Sequence, residues 1–86
     1  DFESKLSTVG SNLLGSGQTK NAVFVFQMVS GLFPNSSKAL NNLADSYLKI
    51  DNKEEALKSY NKVIQLNLDE DAVKYATEKT KLLSKK

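Results

Sequence analysis

Eighty-six residues suffice for one small domain, which buries only about 60% of the surface its unfolded chain exposes and leaves little apolar material to wall off a catalytic cavity. With no Cys and no His, disulfides, thiolate nucleophiles, imidazole metal ligands and the commonest general base are excluded, so neither enzymatic activity nor a bound cofactor or metal is expected. The net charge is +2 and all 12 basic residues are Lys; without the bidentate fork of Arg, nucleic-acid binding is not expected.

The chain opens on Asp1-Phe2-Glu3, with neither an initiating Met nor the charged-then-apolar pattern of a signal peptide, as a processed product or a piece of a longer protein would. From Glu3 to Gly15, Leu6, Val9, Leu13 and Leu14 recur at three- and four-residue spacing and predict a helix that Gly15-Ser16-Gly17 ends. Gln18 to Phe33 is harder to read, because Val23-Phe24-Val25-Phe26 has the content of a strand. Phe33-Pro34-Asn35-Ser36 closes this segment: Pro disfavours a helical residue before it, and Ser36 is placed to cap a third helix. That helix is predicted over Ser37 to Lys49. Asp51-Asn52 supplies the next turn, with Glu54 three residues after Asp51 in capping-box spacing. The fourth helix, Glu54 to Leu66, sets Leu57, Tyr60, Val63, Ile64 and Leu66 among Lys and Glu. After a connection from Asn67 to Asp71, a fifth helix runs from Asp71 to about Ser84, burying Val73, Ala76 and Leu83 and carrying a lysine-rich outer face. No apolar run approaches the ~20 residues needed to cross a bilayer, and no membrane role is expected.

Repeat register decides the ambiguous second segment. A shift of about 34 residues lays Leu6 on Leu40, Val9 on Leu43, Gly10 on Ala44, Leu13 on Tyr47, Ala22 on Ala56, Phe26 on Tyr60 and Val29 on Val63. The counterpart of the strand-like stretch is plainly helical, so the second segment is expected to be a helix too. Such a period marks stacked helical hairpins, each unable to bury its apolar face alone. The expectation is an all-α, right-handed α-α superhelix in a single domain, with one hairpin over 3–36, a second over 37–70 and a capping helix over 71–86.

These residues resemble the tetratricopeptide repeat family, whose pattern is large-x-x-Leu-Gly/Ala-x-x-Tyr, then Ala-x-x-x-Phe/Tyr, then Pro. The first unit supplies Leu6, Val9, Gly10, Leu13, Ala22, Phe26, Val29 and Pro34; the second supplies Leu40, Leu43, Ala44, Tyr47, Ala56, Tyr60 and Val63. Leu6 and Leu40 replace the usual Trp, Leu68 sits where Pro is expected, and Val29 and Val63 exceed the usual Ala. A narrower likeness lies in the wording of Leu13-Leu14 through Gly17, Ala22, Phe26, Phe33-Pro34-Asn35-Ser36, Leu43 to Lys49 and Ala56 to Tyr60. It is similar to the tetratricopeptide extension that lies C-terminal to the catalytic domain in some bacterial β-lactamase-related serine hydrolases. That likeness implies an accessory domain that helps dimerise or position such an enzyme, with every catalytic residue outside this chain.

The family resemblance implies a protein or peptide partner, held in the groove lined by the first helix of each pair. Here that groove would be lined by Ser7, Ser11, Leu14, Lys38, Asn41, Asn42, Asp45, Leu48, Tyr75, Lys79 and Leu82. Only Asn42 fits the Lys and Asn clamp with which one subset holds a C-terminal carboxylate; Ser7, Ser11, Ala72 and Ala76 occupy the other positions, so that clamp is not expected. Phe24, Val25 and Met28 stand where the second unit has Lys58, Ser59 and Lys62, which makes them a candidate docking patch for a second copy, an upstream domain or another protein.

Other constellations fail on spacing. Ser59-Tyr60-Asn61-Lys62 fits the S-x-x-K nucleophile pattern, but Tyr60 is a core position, which would put Ser59 and Lys62 on the outer side, and no K-T-G partner exists. Glu54 and Glu55 diverge by about 100° on a helix. Asp69-Glu70-Asp71 lacks the spaced ligands of a calcium loop and suits a helix start instead.

Overall fold

The computed structural model describes residues 1–85 and contains α1 (Phe2–Gly15), α2 (Thr19–Leu32), α3 (Ser37–Lys49), α4 (Lys53–Leu66) and α5 (Glu70–Ser84). Each helix packs on its neighbour in chain order, and α3 also touches α5. The result is two stacked helical hairpins closed by a fifth helix, 32 × 27 × 17 Å in extent. No strand occurs among the described residues. Val23-Phe24-Val25-Phe26 lies within α2, because burying Ala22, Phe26 and Val29 at helical spacing outweighs the local strand preference.

Helix ends follow from local chemistry. The Asp1 carboxylate accepts from the Ser4 N–H at 2.7 Å, Ser36 Oγ from the Ala39 N–H at 3.1 Å, and Asp69 from the Ala72 N–H at 3.1 Å. The cap of α4 differs from the expected one. Asn52, not Asp51, accepts from the Glu55 N–H at 3.3 Å, because Asp51 is spent on a left-handed turn residue with φ of 62°. Asn67, at φ of 48°, ends α4 in the same left-handed way, and Gly17, at φ of 82°, turns the chain between α1 and α2.

The core runs between the hairpins. Ala22, Phe26, Val29, Ala39, Ala44, Ala56, Tyr60, Val63 and Ala76 are wholly buried, and Leu40, Leu43 and Tyr47 nearly so. Burying each large side chain contributes about 1.5–3 kcal/mol, and the small ones let paired helices approach closely. Val73 and Leu83 of α5 pack against this core as partly buried neighbours.

Two positions depart from the repeat-based reading. Val9 is 48% exposed although its counterpart Leu43 is buried, because Leu43 lies under the first hairpin and no described element lies over Val9. Ser59, expected on the outer side of α4, is buried, since α4 packs on both α3 and α5 and its buried arc widens to include it; Lys62 is exposed. The two are therefore not offered together to any substrate.

Candidate functional site

The face shared by α3 and α5 is organised around one carboxylate. Asp45, on the half-buried side of α3, accepts a hydrogen bond on Oδ1 from the hydroxyl of Tyr60 in α4. On Oδ2 it accepts one from the hydroxyl of Tyr75 in α5, at 2.7 Å. A single side chain thus ties three helices together, and the Tyr60 and Tyr75 rings meet edge to face with centroids 6.3 Å apart. Burial, then the hydrogen bond and negative charge of Asp45, push both phenols above their usual range, Tyr75 to about 12 and Tyr60 further. Lys79 Nζ stands 5.4 Å from the Tyr75 ring centroid, in cation–π range.

Two open depressions of about 430 and 450 Å³ flank this strap and share Asp45 and Tyr75. One is bordered by Leu48, Lys49 and Lys79. The other is bordered by Lys38, Asn42, Asp69 and Asp71. Together they form a shallow trough with an apolar and cationic end and an end of mixed charge. Its floor is fixed by Asn41, whose Nδ2 donates to the Ala72 carbonyl at 3.3 Å.

Most of the groove residues read from the sequence are brought together here: Lys38, Asn42, Asp45, Leu48, Tyr75 and Lys79 border the trough, and Leu82 is exposed further along α5. Asn41 is buried at the floor of the trough, tied to α5 through the Ala72 carbonyl, and Ser7 on α1 is buried and does not border it. Ser11 is exposed and Leu14 half-buried. α1 packs chiefly on α2 and does not meet α3 as closely as α5 does, so the trough is best formed in its α3–α5 half. On α2, which does not border the trough, Phe24 and Met28 are exposed, whereas Val25 is half-buried. Sequence reasoning missed Tyr60 as a partner of this face: its core position is periodic, but nothing in the spacing shows that its hydroxyl reaches Asp45.

Among the described residues no group of three or more His, Cys, Asp or Glu side chains is placed to hold a metal ion, and no helix is long and apolar enough to cross a membrane.

Stacked antiparallel hairpins with small residues at the crossings and an open face along the first helix of each pair define a helical-repeat scaffold. Residues 37–69, which are α3, α4 and the connection after them, match the family model of the tetratricopeptide repeat, and the chain carries that repeat. Repeats of this family generally mediate protein–protein interaction. No curated protein matches the chain. The family match makes no connection with a serine hydrolase.

Proposed function

We propose that the chain is a protein-interaction module that receives an extended peptide segment along the trough between α3 and α5. The observation that carries this reading is the strap of Tyr60, Asp45 and Tyr75, which fixes the facing helices before any ligand arrives. A preformed surface of this kind costs little ordering on binding. Leu48 and Leu82 serve as apolar anchors, while Lys38, Asn42 and Lys79 set the register of the bound chain through polar contacts.

A synthetic peptide array probed with the labelled protein tests this. Peptides it retains are expected to bind at least tenfold more weakly to chains carrying Asn42→Ala or Lys79→Glu, a loss of about 1.4 kcal/mol or more. An array with no retained peptide, or binding indifferent to both substitutions, refutes the groove.

Docking to a neighbouring domain is the second reading, favoured by Phe24 and Met28, one turn apart on α2 and 66% and 42% exposed. Their counterparts Lys58 and Lys62 are charged, so the apolar surface belongs to the first hairpin and not to the repeat as such.

A further inference from the structure

We infer that the face of the first hairpin turned away from α3 pairs with the same face of a second copy of this chain. Such a pairing rests on the first hairpin being a docking surface and names what covers it.

Gln27 marks the side of α2 that meets α3, since its Nε2 donates to the Tyr47 hydroxyl at 2.8 Å. Met28 and Leu32 stand about 100° and 140° further round the helix, on the far side. On α1 the repeat relation locates the same face. Leu40, Leu43 and Tyr47 are buried where α3 packs against the first hairpin; their counterparts Leu6, Val9 and Leu13 are half-buried, exposed and half-buried. Phe2 joins them, leaning on Phe33 beyond the end of α2 with ring centroids 6.4 Å apart. The surface that the second unit covers with another helical hairpin is therefore bare in the first.

The chemistry of that surface fits a like surface. Phe2, Val9, Met28 and Leu32 are 60, 48, 42 and 54% exposed, and Phe24, 66% exposed, stands at the rim of this face, about 60° round α2 from Gln27. At roughly 170 Å² for each fully exposed side chain they offer about 450 Å² of apolar area. That matches the apolar share of one side of a standard interface, which is about 57% of about 800 Å². Lys20 is the single charged residue of α2, against five in α4. Head-to-tail stacking is disfavoured, because the other end of the molecule presents the charged stripe Lys74, Glu78 and Lys81 on α5. A largely apolar face at one end, with Lys5 one turn before Val9 at its border, and a charged one at the other leave a two-fold pairing of the apolar faces as the complementary arrangement. It also joins two short stacks into one of four hairpins, above the three that such stacks usually need.

Sedimentation equilibrium over a wide concentration range, together with dilution of a methyl-labelled sample, tests this. A reversible dimer is expected, with the Val9, Met28 and Leu32 methyl signals moving on dilution while those of Leu82 stay fixed. Val9→Lys with Met28→Lys is expected to weaken association by at least about a hundredfold with helicity retained, since each lysine enters a two-fold interface twice. Monomers at every concentration, a dimer indifferent to the lysines, or dilution shifts confined to Leu82 overturn the pairing. The methyl signals decide the matter even if the double variant does not fold. Peptides retained by the array while the chain stays monomeric sink the pairing alone and leave the groove standing.

Discussion

Gly10 of α1 and Phe26 of α2 meet so closely that no side chain fits between them: a Cβ on Gly10 would stand 2.6 Å from Cζ of the ring and under 3.0 Å from both Cε atoms. Phe26 is wholly buried, so its ring has nowhere to retreat. Gly10→Ala is expected to destabilise the fold by about 1–2 kcal/mol, because overpacking against a ring that cannot move falls in the upper part of its usual range, about 2–3 kcal/mol, and outweighs the roughly 1 kcal/mol gained in helix propensity. The readout is a lower urea midpoint at unchanged slope. Adding Phe26→Leu to the alanine chain should recover part of the loss, and a Gly10→Ala chain as stable as the parent would show that α1 and α2 separate freely.

Asp45 holds α3, α4 and α5 at once, and its loss should be felt unequally. Asp45→Ala strands the buried Tyr60 hydroxyl and is expected to cost about 2–3 kcal/mol. Tyr75→Phe removes one half-exposed bond and should cost about 1 kcal/mol or less. Native-state hydrogen exchange separates the two, with Tyr75→Phe speeding exchange mainly in α5 and Asp45→Ala speeding it in α3 and α4 as well. Equal, global effects from both substitutions would contradict a strap whose two arms differ in burial.

The same strap makes the protein sensitive to alkali. The folded protein holds the phenolic protons of Tyr60 and Tyr75 where the unfolded chain, near the usual 10, gives them up. Their contribution is complete below about pH 10 and fades above it, through about 12 for Tyr75 and beyond for Tyr60. The slope is at most about 1.4 kcal/mol per pH unit for each group. Urea unfolding from pH 7 to 11 should show a plateau and then a fall. Tyr75→Phe should flatten the fall, and a flat profile through pH 11 would remove the assigned perturbation.

The fold was legible in the sequence because it rests on periodicity. Ala22, Phe26, Ala56 and Tyr60 recur at one offset, and that offset identified the helical hairpins and overruled the strand-like run at Val23 to Phe26. Periodicity reports which way a side chain faces, and this is where it stopped. Ser59 and Val9 were misplaced, because their burial depends on which neighbouring helix lies over them and not on their own helix. Most of the trough was legible as a face, through Asn42, Asp45 and Tyr75. Its central bonds were not, since Asp45, Tyr60 and Tyr75 are joined across three helices and no spacing along the chain encodes that meeting.

The α3–α4 turn gives the adjacent Asp51 and Asn52 different tasks. Asn52 accepts the Glu55 N–H at 3.3 Å and so satisfies one donor at the start of α4, whereas Asp51 sits at φ of 62° and caps nothing. Asn52→Ala is therefore expected to cost about 1 kcal/mol, the usual loss for a side-chain cap. Asp51→Gly should be close to neutral or slightly stabilising, because glycine adopts the left-handed conformation without the steric cost carried by a Cβ. Thermal unfolding monitored by circular dichroism checks both; a 1 kcal/mol loss in a domain of this size lowers Tm by about 4–8 °C. The reverse order, with Asp51→Gly the costly change and Asn52→Ala silent, would return the capping role to Asp51 and with it the capping-box pairing to Glu54.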